Sequence, residues 1–243
     1  MTRTVDWLRA AWQLVLSSNF GAFAILMLLY SVCYLFINQV ALLAVGMPRA
    51  EPMTQPQSLQ QLFDQLAQQF PRPVLIKSYV ASLVILGPLM AVVTAAVYAV
   101  VLHFLDTGEI NLAKLGVGFQ QMGQVLPAGF LIGIFTAIAS FFCLIPYFLV
   151  KALYLFPLLL IVDRKLGAWA ALEASRRAVQ RSWLGFTGFV LVTAGIVILG
   201  AIPCGMGLII AYPVVWCATA FAYRELWPRP EPGIMSEPPS GIS

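Results

Sequence analysis

Apolar residues in this chain fall into two kinds of stretch: long runs almost free of charge, and shorter segments in which apolar and charged residues recur at helical spacing. The long runs predict transmembrane helices, because crossing a hydrocarbon core of about 30 Å takes roughly 20 helical residues. They cover about residues 20–46, 74–105, 125–145, 147–162, 184–202 and 206–223. The two runs around Ile145-Pro146 are read as a hairpin. A single straight helix over the whole of 125–162 would reach roughly 57 Å at about 1.5 Å per residue, nearly twice the core thickness.

The shorter segments predict amphipathic helices. In residues 4–17, Val5, Leu8, Trp12, Val15 and Leu16 share one face and Arg3, Asp6, Ala10, Gln13 and Ser17 the other. Such a helix is expected to lie on the membrane, with Trp7 and Trp12 at headgroup level. Residues 47–73 are rich in proline and glutamine and form an extracytoplasmic insertion. Within it Ser58 N-caps a short helix that carries Leu59, Leu62, Phe63, Leu66 and Phe70, either a surface helix or a small lid. Residues 110–124 form a weakly amphipathic connector. In residues 163–183, Trp169, Leu172, Val179 and Trp183 line one face and Arg177 and Arg181 the opposite one, with Glu173 four residues before Arg177. Residues 228–243, proline-rich with few apolar residues, predict a disordered tail.

Landmarks recur along the chain. Ile145-Pro146, Phe156-Pro157 and Asp163 are followed by Ile202-Pro203, Tyr212-Pro213 and Tyr223 at separations of 57, 56 and 60 residues. Pro88 to Tyr98 repeats the ten-residue step of Pro213 to Tyr223. The expected fold is therefore all-α: one domain over residues 1–227, an integral membrane bundle of six transmembrane helices with interfacial amphipathic helices, built as three helix-hairpin repeats.

Composition sharpens this picture. The chain is 60% hydrophobic and 10% charged, outside the range of soluble domains. Its net charge of +4 is concentrated, because five of the 14 basic residues lie within residues 163–183. Charge within reach of headgroups points to lipids, anionic ones included, and away from nucleic acid. Six spans put both termini on one side, with ten basic residues there against Arg49, Arg72, Lys77 and Lys151 on the other. The positive-inside rule makes that side cytoplasmic. Met1 to Ser18 carries Asp6, Arg9 and Gln13 and lacks the form of a cleaved signal, so the N-terminus is expected to be retained.

No reaction is legible. Lys77, His103, Asp106, Lys151 and Asp163 all fall near predicted span ends, and no carboxylate pair, metal-binding, nucleophile-elbow or phosphate-loop motif occurs. The reading is of a protein that is not an enzyme, with no catalytic residue, cofactor or metal. Cys33, Cys143, Cys204 and Cys217 read as small core residues, with a Cys143–Cys204 pairing left open. Two sets of residues remain as candidates. Arg164, Lys165, Arg176, Arg177 and Arg181 either contact lipid headgroups or anchor the topology. Pro88, Pro146, Pro157, Pro203 and Pro213 are candidate kinks or hinges; Pro88, Pro157 and Pro213 either bend helices or open carbonyls to a cavity.

The run from Leu155 to Leu226 holds an aromatic-Pro-Leu, an Asp, Ala-Leu-Glu-Ala-Ser before a basic stretch, a Gly-rich hinge, Tyr-Pro and Ala-Tyr-Arg-Glu-Leu. It resembles uncharacterised bacterial polytopic membrane proteins similar to the membrane domain found with some glycerophosphodiester phosphodiesterases. The hydrolase domain of those enzymes has no counterpart here, so the resemblance implies a helical bundle associated with lipid, without catalysis. The expectation is a bacterial inner-membrane scaffold or accessory protein. The alternative is a transporter or channel for a small or lipidic substrate.

Overall fold

The computed structural model describes residues 2–17, 20–45, 86–142, 144–202 and 205–228, which form helices joined by short turns, with no strand among them. In chain order they are α1 (Thr2–Ser17), α2 (Phe20–Val45), α3 (Gly87–Thr107), a 3₁₀ turn (Leu112–Lys114), α4 (Leu115–Gln120), α5 (Met122–Phe142), α6 (Leu144–Leu153), α7 (Pro157–Arg164), α8 (Ala168–Gln180), α9 (Trp183–Ala201) and α10 (Leu208–Leu226). The expected helix over 59–70, the first part of the span 74–105 and the tail beyond Pro228 lie outside the described residues.

Helix α3 is the hub, packed by α2, α4, α5, α7 and α10. Its small and branched residues Ala91, Ala95, Ala96, Val97, Val100 and Val101 are buried on several sides at once. That is why its sequence is apolar all round rather than amphipathic. The α2–α3 pairing is antiparallel, since Phe23 meets Phe104 near the end of α3 edge to face at 5.5 Å while Tyr30 and Ile37, further along α2, pack against Leu86 and Met90 at its start. Close approach depends on missing side chains. A Cβ on Gly118 of α4 would come within 2.4 Å of the Ala96 backbone nitrogen, and one on Gly129 of α5 within 2.6 Å of the Ala91 methyl.

Among the described residues, five stretches are long and apolar enough to cross a membrane: Phe20–Val40, Gly87–Thr107, Met122–Ser140, Pro146–Arg164 and Trp183–Ala201. Six were expected. Helix α10 has the length but not the hydropathy, because Tyr212, Pro213 and the terminal Arg224-Glu225 dilute it. Its residues from Trp216 to Ala220 are buried by other helices instead. At the periphery α2 and α9 turn Val32, Leu35, Phe36, Leu184, Ile198 and Leu199 outward.

The expected hairpin over 125–162 turns back as anticipated, with Phe135 of α5 stacked on Tyr154 at 5.3 Å. Its second limb is interrupted. α6 ends at Leu153 and α7 starts at Pro157, which lacks the N–H needed to continue the ladder. Ser175 of α8 spans the break: its hydroxyl donates to the Leu153 carbonyl at 2.7 Å and accepts the Phe156 N–H at 3.3 Å. The other prolines fall at helix starts or inside helices. Pro88 lies in the first turn of α3, where a missing donor costs little, Pro146 in the first turn of α6, and Pro213 within α10; Pro203 lies outside the described residues. Gly205 closes the α9–α10 turn with φ +78°, donating to Ala201 at 3.0 Å. Several hydroxyls within the bundle bond to carbonyls of their own helices, as Thr94 does to Met90 and Thr219 to Val215, both at 2.8 Å.

The close α3–α4 contact yields a prediction. Gly118→Leu overpacks the contact and destabilises the fold by about 1–3 kcal/mol, read as a lower Tm in detergent. Gly116→Leu, on the open face of the same helix, leaves Tm unchanged.

Candidate functional site

The elements that carry candidate chemistry meet at one end of the bundle, where α3, α7 and α10 terminate. Each contributes one charged residue from its last turn: Asp106, Asp163 and Arg224. The Arg224 guanidinium donates from Nη1 to Asp163 Oδ2 at 2.9 Å and from Nη2 to Asp106 Oδ2 at 2.9 Å and Asp163 Oδ1 at 3.2 Å. The Tyr223 hydroxyl donates to Asp163 Oδ2 at 2.8 Å. A carboxylate at a helix C-terminus faces the negative end of the macrodipole, so Arg224 offsets both the dipoles and the mutual repulsion of the aspartates. These side chains are only 8–17% exposed, which makes the pairing a specific constraint on three helix ends.

Next to Arg224, Glu225 captures α1, accepting the Trp7 indole N–H at 2.7 Å and pairing with Arg3. Trp7 then packs against Phe186 and Phe189 of α9, with centroids at 6.1 and 5.6 Å. Phe156 joins this layer, edge to face with Phe186 and with Trp227, each at 5.6 Å. Docking in this way divides the apolar face expected from the sequence between the core and the outside. Ala11 and Val15 are buried, Trp7 and Leu8 pack on the core, and Val5, Trp12 and Leu16 project outward beside Arg9. Helix α1 therefore has two apolar stripes, one facing the protein.

Helix α8 shows the same effect. It folds back along α7 and α6 and buries Ala168, Ala171, Leu172, Ser175 and Val179. Leu172 and Val179 thus lie inward, whereas Trp169 and Trp183, grouped with them on sequence grounds, are 67% and 47% exposed. The N-terminus of α8 is capped from α5, where Gln124 Oε1 accepts the Ala168 N–H at 3.0 Å.

The five basic candidates do not form one cluster. Arg164 and Lys165 stand before the N-terminus of α8: Arg164 donates to the Pro228 carbonyl at 3.3 Å, and Lys165 ends α7 in the left-handed region at φ +53°. Lys165 borders a cavity of about 440 Å³ with Gln120, Gln121 and Gln124. About two turns into α8, Arg176 and Arg177 share one carboxylate. Arg176 reaches Glu173 from Nε at 2.9 Å and Nη2 at 2.8 Å, and Arg177 from Nε at 2.7 Å. The Glu173–Arg177 pair was expected from its spacing; the bidentate Arg176 arm was not. Arg181 is exposed just beyond the helix. The hydrogen bonds to Arg176 and then Arg177 hold the Glu173 carboxyl down to about 2.

Sequence reasoning noted Asp106 and Asp163 only as residues near span ends and did not join them to Arg224. Neither Ser175 nor Gln124 had any local signal. Among the described residues no group of three or more histidine, cysteine, aspartate or glutamate side chains is placed to hold a metal ion. The chain matches no protein-family model, no curated protein and no solved structure.

Two outcomes are expected. Arg224→Ala leaves two largely buried carboxylates facing each other and costs about 3 kcal/mol, measured by thermal unfolding; adding Asp106→Asn and Asp163→Asn recovers part of the loss. Because the Glu173 pKa lies below its unfolded value, its pairing contributes fully above the usual carboxylate range and is lost as pH falls through about 2. The Glu173 carboxyl carbon resonance should stay that of a carboxylate at pH 4, and protonation there would refute the pairing.

Proposed function

We propose that this chain is a non-enzymatic integral membrane protein of the bacterial inner membrane, a scaffold or accessory subunit that contacts anionic lipid along a basic, tryptophan-bearing collar. The observation that carries this reading is the pair of helices α1 and α8, docked at the same end of an apolar bundle. Each turns aromatic or aliphatic residues (Trp12 and Leu16; Trp169) outward next to exposed arginines. Tryptophan and arginine side by side on a surface helix suit the headgroup region, where the ring sits at the acyl boundary and the guanidinium meets phosphate.

In this reading α10 is a sixth span. Enclosed by α1, α2, α3 and α9, it does not need the hydropathy of a lipid-facing helix. The bundle is built from three hairpin units, and both termini are cytoplasmic, on the side of the basic collar. Transport is less well supported, because Pro88, Pro157 and Pro213 are all buried among neighbouring side chains.

Two measurements test the proposal. A cysteine introduced at Arg181 should react with a membrane-impermeant maleimide in inverted vesicles and not in intact cells; labelling of intact cells overturns the orientation. Native mass spectrometry from nanodiscs should show anionic phospholipid retained by the wild type and lost from the Arg176→Gln, Arg177→Gln, Arg181→Gln triple variant. Unchanged lipid content would leave α8 as a topological anchor only.

A further inference from the structure

Where α8 crosses the α5–α6 hairpin, Phe135, Tyr154, Trp169, Leu172, Glu173 and Arg176 enclose a cavity of about 260 Å³. At about 30 Å³ for each water-sized group, it has room for roughly eight or nine of them. Its walls differ in chemistry. Phe135 and Tyr154, stacked at 5.3 Å, form one side with Leu172, and the 67% exposed Trp169 forms the lip. The other end is charged: Arg176 spends Nε and Nη2 on Glu173, which leaves Nη1 outside that pair, and Arg177 shares the same carboxylate. With Arg177, which stands outside the lining on the same carboxylate, two guanidiniums on one carboxylate leave the mouth at this end with a net charge of +1.

From this arrangement we infer that the cavity is a binding site for a single anionic phospholipid. The phosphate meets the outer edges of Arg176 and Arg177, and the first acyl methylenes lie along Trp169, Leu172 and Phe135. A cationic headgroup is disfavoured, because the one carboxylate lining the cavity is already neutralised. A soluble phosphate ester would leave the aromatic wall unused, whereas an amphiphile satisfies both ends. Glu173 is a positioning residue here, fixing the Arg176 guanidinium at the cavity mouth. The inference rests on the proposed placement of α8 at headgroup level and narrows it from a general basic face to one groove.

The test is native mass spectrometry of the full chain in detergent, titrated with dioleoyl phosphatidylglycerol, dioleoyl phosphatidylcholine or inorganic phosphate. The variants are Trp169→Ala, Arg176→Gln and Arg181→Gln. The wild type should retain one phosphatidylglycerol. Trp169→Ala, which removes an exposed side chain and leaves the bundle folded, and Arg176→Gln should each weaken that binding roughly tenfold, the scale of one charge-assisted contact. Arg181→Gln, outside the cavity, should change it by less than about twofold. If both arginine variants weaken binding alike and Trp169→Ala does not, the groove is overturned while the general headgroup contact stands. If no variant matters, both are overturned. Phosphatidylcholine or inorganic phosphate binding as tightly as phosphatidylglycerol would also overturn the site.

Discussion

Three helix ends in this bundle are held by one guanidinium. Arg224 lies between Asp106 and Asp163, each in the last turn of its own helix, so α3, α7 and α10 must terminate together. In an apolar medium, helix packing alone specifies position weakly, because lipid tails compete on equal terms with side chains. A largely buried ion pair behaves differently: a shift of one helix turn would leave a charge without a partner. The registry of the bundle depends on this contact, and the neighbouring features follow from it. Once α10 is fixed, Glu225 is fixed, and with it the Trp7 and Arg3 contacts that dock α1.

A second constraint acts through the break before Pro157. The proline prevents α6 from running on, and Ser175 meets the carbonyl and N–H that the interruption leaves exposed. Helix α8 is consequently part of the bundle as well as a surface element. Its inward residues support the interrupted limb while Trp169, Arg176 and Arg177 remain available at the surface. Structure and proposed lipid contact are thus opposite faces of the same thirteen-residue helix.

Much of the all-helical architecture could be read from the sequence. The spans around 20–46, 125–145 and 184–202 coincide closely with α2, α5 and α9, because each is a long apolar run with few alternatives. Helices α1 and α8 lie where amphipathic helices were expected, yet their apolar faces are divided between the core and the outside. Val5, Trp12 and Leu16 share a stripe by periodicity, and that stripe points outward because Trp7 binds Glu225 more than two hundred residues away. Trp169 was likewise grouped with Leu172 and Val179, but the fold-back of α8 on α7 leaves it outside. The basic residues were found as one group, and the structure separates them along α8.

What the sequence determined by itself is the elements and their apolarity: an apolar, sparsely charged chain carries runs long enough to cross a membrane, and proline, glycine and charge mark where helices start and stop. Only the tertiary structure decided which face of each amphipathic helix is inside, which arginines are already engaged, and that Asp106, Asp163 and Arg224 meet. The physical reason is range. Hydropathy and turn chemistry act over a few residues of chain, whereas the choice of partner for a charge, an indole or a proline break depends on side chains brought close only by folding.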